Sequence, residues 1–251
     1  MHTTITYEAF DRVYDAVILG NDFFEGQEYY RQFKDRYWNT LKYVSECLRP
    51  AQTRLLDVGS GQFALLAKHL YGAQAEVVDI DSRYTRVLSD NGIPFRRADL
   101  SREPIDAHPP YDVVVLAEVI EHVPTPPYVV FESIQRSLSP GGFLVVTTPN
   151  LYRLRNLVRM ATGRPIFDHF RVPEQDGPLG HFLEYSQEQM EWHVERAGFR
   201  IHRSELTQLS LGGATSLTRF ARRTLAPVFA ARPLWRDNIV MIGQKPGSQP
   251  N

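Results

Sequence analysis

Apolar positions follow two rhythms along the chain. Over residues 24–48, "FEGQEYYRQFKDRYWNTLKYVSECL", Tyr30, Phe33, Tyr37, Leu41, Val44 and Leu48 recur at three- and four-residue spacing, which predicts a helix that Arg49-Pro50 ends. The pattern then shortens. Solid apolar runs predict strands at Arg54–Val58, "AEVVDID", Ile93–Arg97, "YDVVVLA" and "FLVVTTP". Helices are predicted between them over Gln62–Tyr71, over Ser82–Asn91 with Gly92 as its cap, and from Thr125-Pro126 to about Leu138. In the last, Thr125 is expected as the N-cap and Pro126 as the first helical residue. Strands that are apolar throughout, rather than alternating, imply a parallel sheet covered on both faces.

After Asn150 the rhythm breaks. "LYRLRNLVRMATGRP" and a Pro/Gly-rich loop, "RVPEQDGPLG", precede a helix in "SQEQMEWHVERAG", a strand near Phe199–Ser204, a less regular stretch over 207–236 and a last strand, "DNIVMIGQ". The expected fold is therefore α/β and doubly wound, with a mostly parallel seven-stranded sheet and helices on both faces. A helical extension covers 1–50. The main domain covers 51–251, with insertions at about 151–180 and 207–236. The tail "KPGSQPN" is expected to be disordered.

Composition narrows the function classes. The 251 residues carry a net charge of −1, so nothing global attracts a polyanion or an anionic membrane. The single cysteine, Cys47, permits no internal disulfide. No apolar run reaches the roughly 18 to 20 residues of a membrane span, and "MHTTITYEAFDRVYDAV" lacks a signal-peptide core. The cytoplasm is the expected location.

Three strand ends carry candidate binding chemistry. "LLDVGSGQF" puts Gly59 and Gly61 where a strand turns into a helix, so backbone can approach a ligand and helix N–H groups face it. Taken alone, this is equally a tight turn. Asp79 ends the second strand about twenty residues later, where an acid can accept bonds from ribose hydroxyls, and Asp99 ends the third. Singly each Asp reads as a cap; as an ordered set on one sheet edge they read as a ligand crevice.

The segments "LLDVGSGQF", "VVDID", "RRADL", "YDVVVLAEVIEHVP" and "LSPGGFLVVTTPN" resemble class I S-adenosylmethionine-dependent methyltransferases, over roughly residues 50–206. The resemblance implies a Rossmann-like fold. It further implies that Asp57, Gly59 and Gly61 border the methionine part of the cofactor, that Asp79 holds its ribose and Asp99 its adenine, and that Ala117 lies beside the methionine. Ser60, Ile80 and Leu100 complete that set. Phe63 departs from the pattern, standing where many members have a third glycine. A nicotinamide enzyme is the rival reading, with Ala64 as the tolerated substitute for its third glycine.

The acceptor is less legible. "PNLYRLRNLVRMATGRP" with "GHFLEYSQEQM" resembles bacterial methyltransferases acting on sugars and glycan chains. A small-molecule or oligosaccharide acceptor is expected. Arg153, Arg155, Arg159, Arg164, His169, Arg171 and His181 could face an anionic acceptor or simply be solvated, and residues 151–180 are expected to form a mobile cover. A cofactor-binding scaffold subunit is a further alternative, although Asp57, Asp79 and Asp99 are all present.

The densest chemistry is "AEVIEHVP", where Glu118, Glu121 and His122 follow the fourth strand. Placed on one helical turn, they would share a face. Glutamates in a first turn also suit the helix dipole, but His122 does not. The pattern resembles the RNA 3'-terminal 2'-O-methyltransferases. That resemblance implies Glu118, Glu121, His122 and His181 as ligands to Mg²⁺ or Mn²⁺, with Glu121, His122 and His181 serving the reaction. The neutral charge and the lack of a basic, aromatic module argue against RNA itself. A metal-free reading makes His122 or His181 a general base for a small-molecule acceptor.

Overall fold

The computed structural model describes residues 5–23, 25–49, 52–105, 109–167, 180–210, 224 and 226–247. Its helices are α1 (Tyr7–Tyr14), α2 (Gly26–Gln32), α3 (Lys34–Cys47), α4 (Gln62–Tyr71), α5 (Thr85–Asp90), α6 (Pro127–Ser137), α7 (Leu154–Ala161), α8 (Gln187–Arg196) and α9 (Ala226–Ala231). A π-helical turn (Asp15–Leu19) extends α1, and two short 3₁₀ turns cover Ile120–His122 and Pro233–Trp235. The strands are β1 (Arg54–Val58), β2 (Gln74–Asp79), β3 (Phe95–Arg97), β4 (Tyr111–Ala117), β5 (Leu138–Pro149), β6 (Arg200–Thr207) and β7 (Asn238–Gln244).

One seven-stranded sheet runs in the order β3-β2-β1-β4-β5-β7-β6. The pairs from β3 to β5 are parallel, and β7 runs antiparallel to both β5 and β6. The doubly wound, mostly parallel architecture expected from the apolar runs is present. Strand order reverses between β1 and β4, and a crevice opens at the carboxyl ends there. On one face Phe10, Tyr14, Tyr37 and Leu41 from the N-terminal helices share a core with α4, Leu55 and Val113. On the other, α6 and α8 bury Phe131, Ile134, Met190 and Val194 against Leu56, Val114 and Leu144.

Several boundaries differ from the sequence reading, for local reasons. The helix expected over 24–48 is two helices, because Phe33 leaves helical geometry (φ −103°, ψ 14°). A one-residue break leaves the three/four spacing almost in phase, so the pattern reads as continuous. Helix α6 begins at Pro127, with Pro126 rather than Thr125 as N-cap. A proline disfavours helical backbone in the residue before it, and Pro126 is accordingly extended at ψ 128°. Helix α5 starts at Thr85 rather than Ser82, while Gly92 follows it in the left-handed region (φ +61°) as expected. Strand β5 takes in Ser139–Gly142, with a register shift against β4.

The first insertion contains α7, but residues 168–179, with His169 and Arg171, lie outside the described residues. The expected cover over 151–180 rests partly on them. Residues 211–223 and 225 of the second insertion, and 248–251 of the tail, also lie outside. No described helix is long and apolar enough to cross a membrane.

Candidate active site

The crevice holds a cleft of about 1050 Å³. Its floor is the β1–α4 turn. Gly59 sits at φ +134° and its N–H donates to the Val78 carbonyl at 2.9 Å, tying the turn to β2. Gly61 sits at φ +89° as the α4 N-cap, and a Cβ there would lie 2.7 Å from Leu88 Cδ2 and 3.1 Å from Val77 Cγ2. Asp57 is buried and accepts from the Ala64 N–H at 2.9 Å, so it clamps the start of α4. Burial pushes its pKa up to about 7 against the pull of those N–H groups.

Asp57, Gly59, Ser60, Asp79, Ile80, Asp99, Leu100 and Ala117 all line the cleft; Gly61 supports the loop from behind. Asp79 Oδ1 accepts from the Asp81 N–H at 3.0 Å, and burial raises its pKa to about 6. Asp99 Oδ1 accepts from the Ser101 N–H at 2.9 Å and hydroxyl at 2.6 Å. Both acids therefore brace turns and also line the cleft. Phe63, which stands where many members of the resembled family have a third glycine, is buried with its ring 5.6 Å from Tyr37, and so fastens α3 to α4.

Beyond Ala117 the four residues expected around a metal separate into two groups. Glu118 adopts left-handed backbone (φ +56°) ahead of the Ile120–His122 turn, so the expected single helical turn does not form. Its carboxylate accepts from Thr147 Oγ1 at 2.9 Å and Asn238 Nδ2 at 3.3 Å, and pairs with Arg36 at 3.6 Å. Glu118 thus lines the cleft and is not one of the three side chains that converge. Glu121, His122 and His181 do converge, each offering a ligand atom within 4.8 Å of the others. The two imidazole rings meet edge to face at 4.9 Å.

The hydrogen bonds around this trio assign its protons. His122 Nδ1 lies 3.1 Å from the Gly180 carbonyl, which only accepts, so Nδ1 carries hydrogen. His181 Nδ1 lies 2.8 Å from Glu184 Oε1. Burial alone would raise Glu184, but His181, Arg153 and Asn156 hold its pKa below the usual range. The acceptor is a carboxylate, and His181 Nδ1 also donates. Nε2 is the remaining ligand atom of each ring, and that of His122 faces Glu121 Oε1 at 3.9 Å.

Glu121 is 1% exposed. Burial, then Glu118, push its pKa well above the usual value, while Thr148 Oγ1 donates to it at 3.0 Å. A buried acid flanked by two imidazoles with outward protons is a donor set that suits a divalent cation. His122 also lines the cleft, so the trio abuts it.

Sequence reasoning missed Arg36, Tyr29 and Tyr37, which line the cleft from α2 and α3. Arg36 stacks on the rings of Phe33 and Tyr37 and donates to the Tyr29 hydroxyl. The only available signal was one arginine inside an aromatic-rich helix. Glu184 was also missed; its signal was an acid three residues after His181.

Known proteins resemble this chain in sequence and in fold. A family model described as "Methyltransferase domain" matches residues 25–204. A ubiquinone biosynthesis O-methyltransferase from Marinobacter nauticus is 28% identical over 193 residues, 72% of this chain and 77% of that one. Another, from Xanthomonas axonopodis pv. citri, is 33% identical over 118 residues, 44% of this chain and 48% of its own length. An S-adenosylmethionine-dependent methyltransferase from Mesorhizobium loti superposes with a TM-score of 0.58 at 20% identity, covering 82% of this chain and 98% of that one.

Proposed function

This chain belongs to the methyltransferase-domain family, and from that premise we propose that it moves the methyl group of S-adenosylmethionine onto a hydroxyl oxygen held beside His122. One observation carries the reading: the strand-end cleft and the Glu121–His122–His181 trio meet at His122.

In this reading Asp79 accepts the ribose hydroxyls and Asp99 the adenine amino group. Arg36 and Glu118, an opposed pair in the cleft wall, match the carboxylate and ammonium of the methionine end. The stacked, partly buried Arg36 would orient that end. Glu121, His122 and His181 would hold Mg²⁺ or Mn²⁺. Such a cation supplies charge that lowers the pKa of a nearby hydroxyl, as it lowers that of water from 15.7 to about 7. Should the trio work without it, His122 or His181 takes the hydroxyl proton on Nε2, worth about 10² to 10⁴ in rate.

The names of the relatives favour a hydroxyl on a ubiquinone-type aromatic ring as acceptor. A phenolic hydroxyl, with a pKa near 10, also asks least of the trio. A sugar or glycan hydroxyl is the second reading, favoured by the "PNLYRLRNLVRMATGRP" and "GHFLEYSQEQM" segments. An anionic acceptor is less well supported, because Arg153 is spent on Glu184 and Arg159 donates to the Ile166 carbonyl.

The test is a cofactor-consumption screen over hydroxylated ubiquinone precursors, simple catechols, sugars, short glycans and small RNAs, with EDTA or with added Mg²⁺ or Mn²⁺. Turnover on a phenol that EDTA abolishes and metal restores is expected. Full activity in EDTA would leave only the histidine base, and turnover confined to glycans or RNA would reject the aromatic acceptor.

A further inference from the structure

Glu184 lies outside the cleft lining and is 2% exposed. A carboxylate that deep is unfavourable unless its lone pairs meet donors. Three donors use them: His181 Nδ1 at 2.8 Å, Asn156 Nδ2 at 2.7 Å and the Arg153 guanidinium. Asn156 is itself fully buried and also donates to the Leu151 carbonyl at 2.9 Å. Glu184 therefore joins the start of α7 to the His181 segment. That segment is pinned from the other side as well, where the Phe182 and Leu183 N–H groups donate to the Glu121 carbonyl at 2.7 and 3.2 Å.

Those backbone bonds fix where residue 181 sits. They do nothing to its ring. Among the described residues, the hydrogen bond to the imidazole comes from Glu184, at Nδ1. The tautomer of a neutral histidine is set by the bond that its other nitrogen makes, so a carboxylate on Nδ1 reserves Nε2 for Glu121 and His122. We propose that Glu184 is a positioning residue that locks His181 in its Nδ1–H tautomer and, through Arg153 and Asn156, makes that lock depend on α7. The proposal rests on the reading of the trio given above, in either its cation or its base form. The competing explanation is that Glu184 is only the counter-ion of Arg153, with His181 a bystander.

The two are separated by ¹⁵N NMR of His181 at alkaline pH, without metal, where the ring is neutral. Wild type should show Nδ1–H. Glu184→Ala should admit the Nε2–H form, and Glu184→Gln, whose amide oxygen still accepts, should largely restore Nδ1–H. Should Glu184→Ala fail to fold, the double variant Arg153→Met/Glu184→Met replaces the ion pair by apolar groups of similar volume, and it should show the same tautomer shift. Mn²⁺ titration followed by electron paramagnetic resonance should give about 10- to 100-fold weaker binding in Glu184→Ala, with calorimetric affinity for the demethylated cofactor unchanged. An Nε2–H form in wild type, or an unaltered Nδ1–H form in folded Glu184→Ala or Arg153→Met/Glu184→Met protein, would overturn the proposal. Failure of wild type to bind Mn²⁺ would instead sink the cation part of the proposed function, and the tautomer would still decide the role of Glu184.

Discussion

Asp79 is half-buried at the cleft edge with its pKa raised to about 6 from 3.8, and Asp57, which is buried, is raised to about 7 from 3.8, mainly by desolvation. An acid raised by folding binds its proton more tightly in the folded state. Each group therefore favours folding at low pH, and that contribution fades as pH rises from the unfolded value through the folded one. The cofactor-free protein should lose thermal stability between about pH 4 and pH 7, and Asp57→Asn should flatten that slope. In the proposed reading ribose hydroxyls would donate to Asp79 and favour its ionised form, so binding should expel a proton. Affinity for the demethylated cofactor should climb as pH rises through about 6 and then level off, with proton release visible by calorimetry in buffers of different ionisation heat. Asp79→Ala should weaken binding at least about tenfold, since a charge-assisted bond is worth roughly 1.5 to 3 kcal/mol. Unchanged affinity in a folded variant would remove Asp79 from the site. These acids were legible in the sequence because each ends an apolar run. Arg36 was not, because its role depends on a helix that only tertiary packing lays across the cleft.

The β1–α4 turn works because Gly61 leaves room for Leu88 and Val77, both within 3.1 Å of where its Cβ would stand. Gly61→Ala combines left-handed strain with a clash, each worth about 1 to 3 kcal/mol. It should lower the melting temperature and abolish cofactor binding together. A stable Gly61→Ala protein that binds normally would show that the turn has slack. The element just past β4 teaches the converse about legibility. Spacing put Glu118 on one face with Glu121 and His122, which holds only if the backbone is helical throughout. Its φ of +56° turns that carboxylate to Thr147, Asn238 and Arg36 instead. A left-handed glutamate has no sequence signature; glycine or asparagine is the usual occupant. Within the trio, Thr148→Val should leave Glu121 with one partner fewer and so weaken Mn²⁺ binding while sparing the fold. Unaltered Mn²⁺ affinity would show that the hydroxyl does not orient Glu121.

At the scale of the molecule, the sequence suggests a boundary near residue 50, whereas the physics of burial ties the two sides together. Phe10, Tyr14, Ile18 and Leu41 are fully buried in the same core as Leu55, Leu65 and Val113. The Tyr14 hydroxyl donates to the Tyr30 carbonyl, and Gln62, first residue of α4, donates to the Tyr30 hydroxyl, both at 2.9 Å. The chain of contacts runs from the N-terminal helices to the cofactor turn. Burying a large apolar side chain contributes about 1.5 to 3 kcal/mol, so four of them amount to much of a typical net stability of about 5 to 15 kcal/mol. A chain beginning at Gln52 should therefore fail to fold cooperatively, as judged by near-ultraviolet circular dichroism and a melt without a sharp transition. Truncation alone cannot separate a lost core from a lost roof over the cleft, but Tyr30→Phe can. It keeps the ring in the core and deletes the hydroxyl that receives Gln62 and donates to Glu25, leaving two polar groups short of a partner at a cost of about 1 to 3 kcal/mol each. The expected result is a modest fall in melting temperature with a larger proportional loss of cofactor affinity, because the missing bond sits at the first residue of the cofactor-turn helix. Equal affinity in Tyr30→Phe would mean that the helices merely stabilise the fold, and that the cofactor turn holds its shape without them.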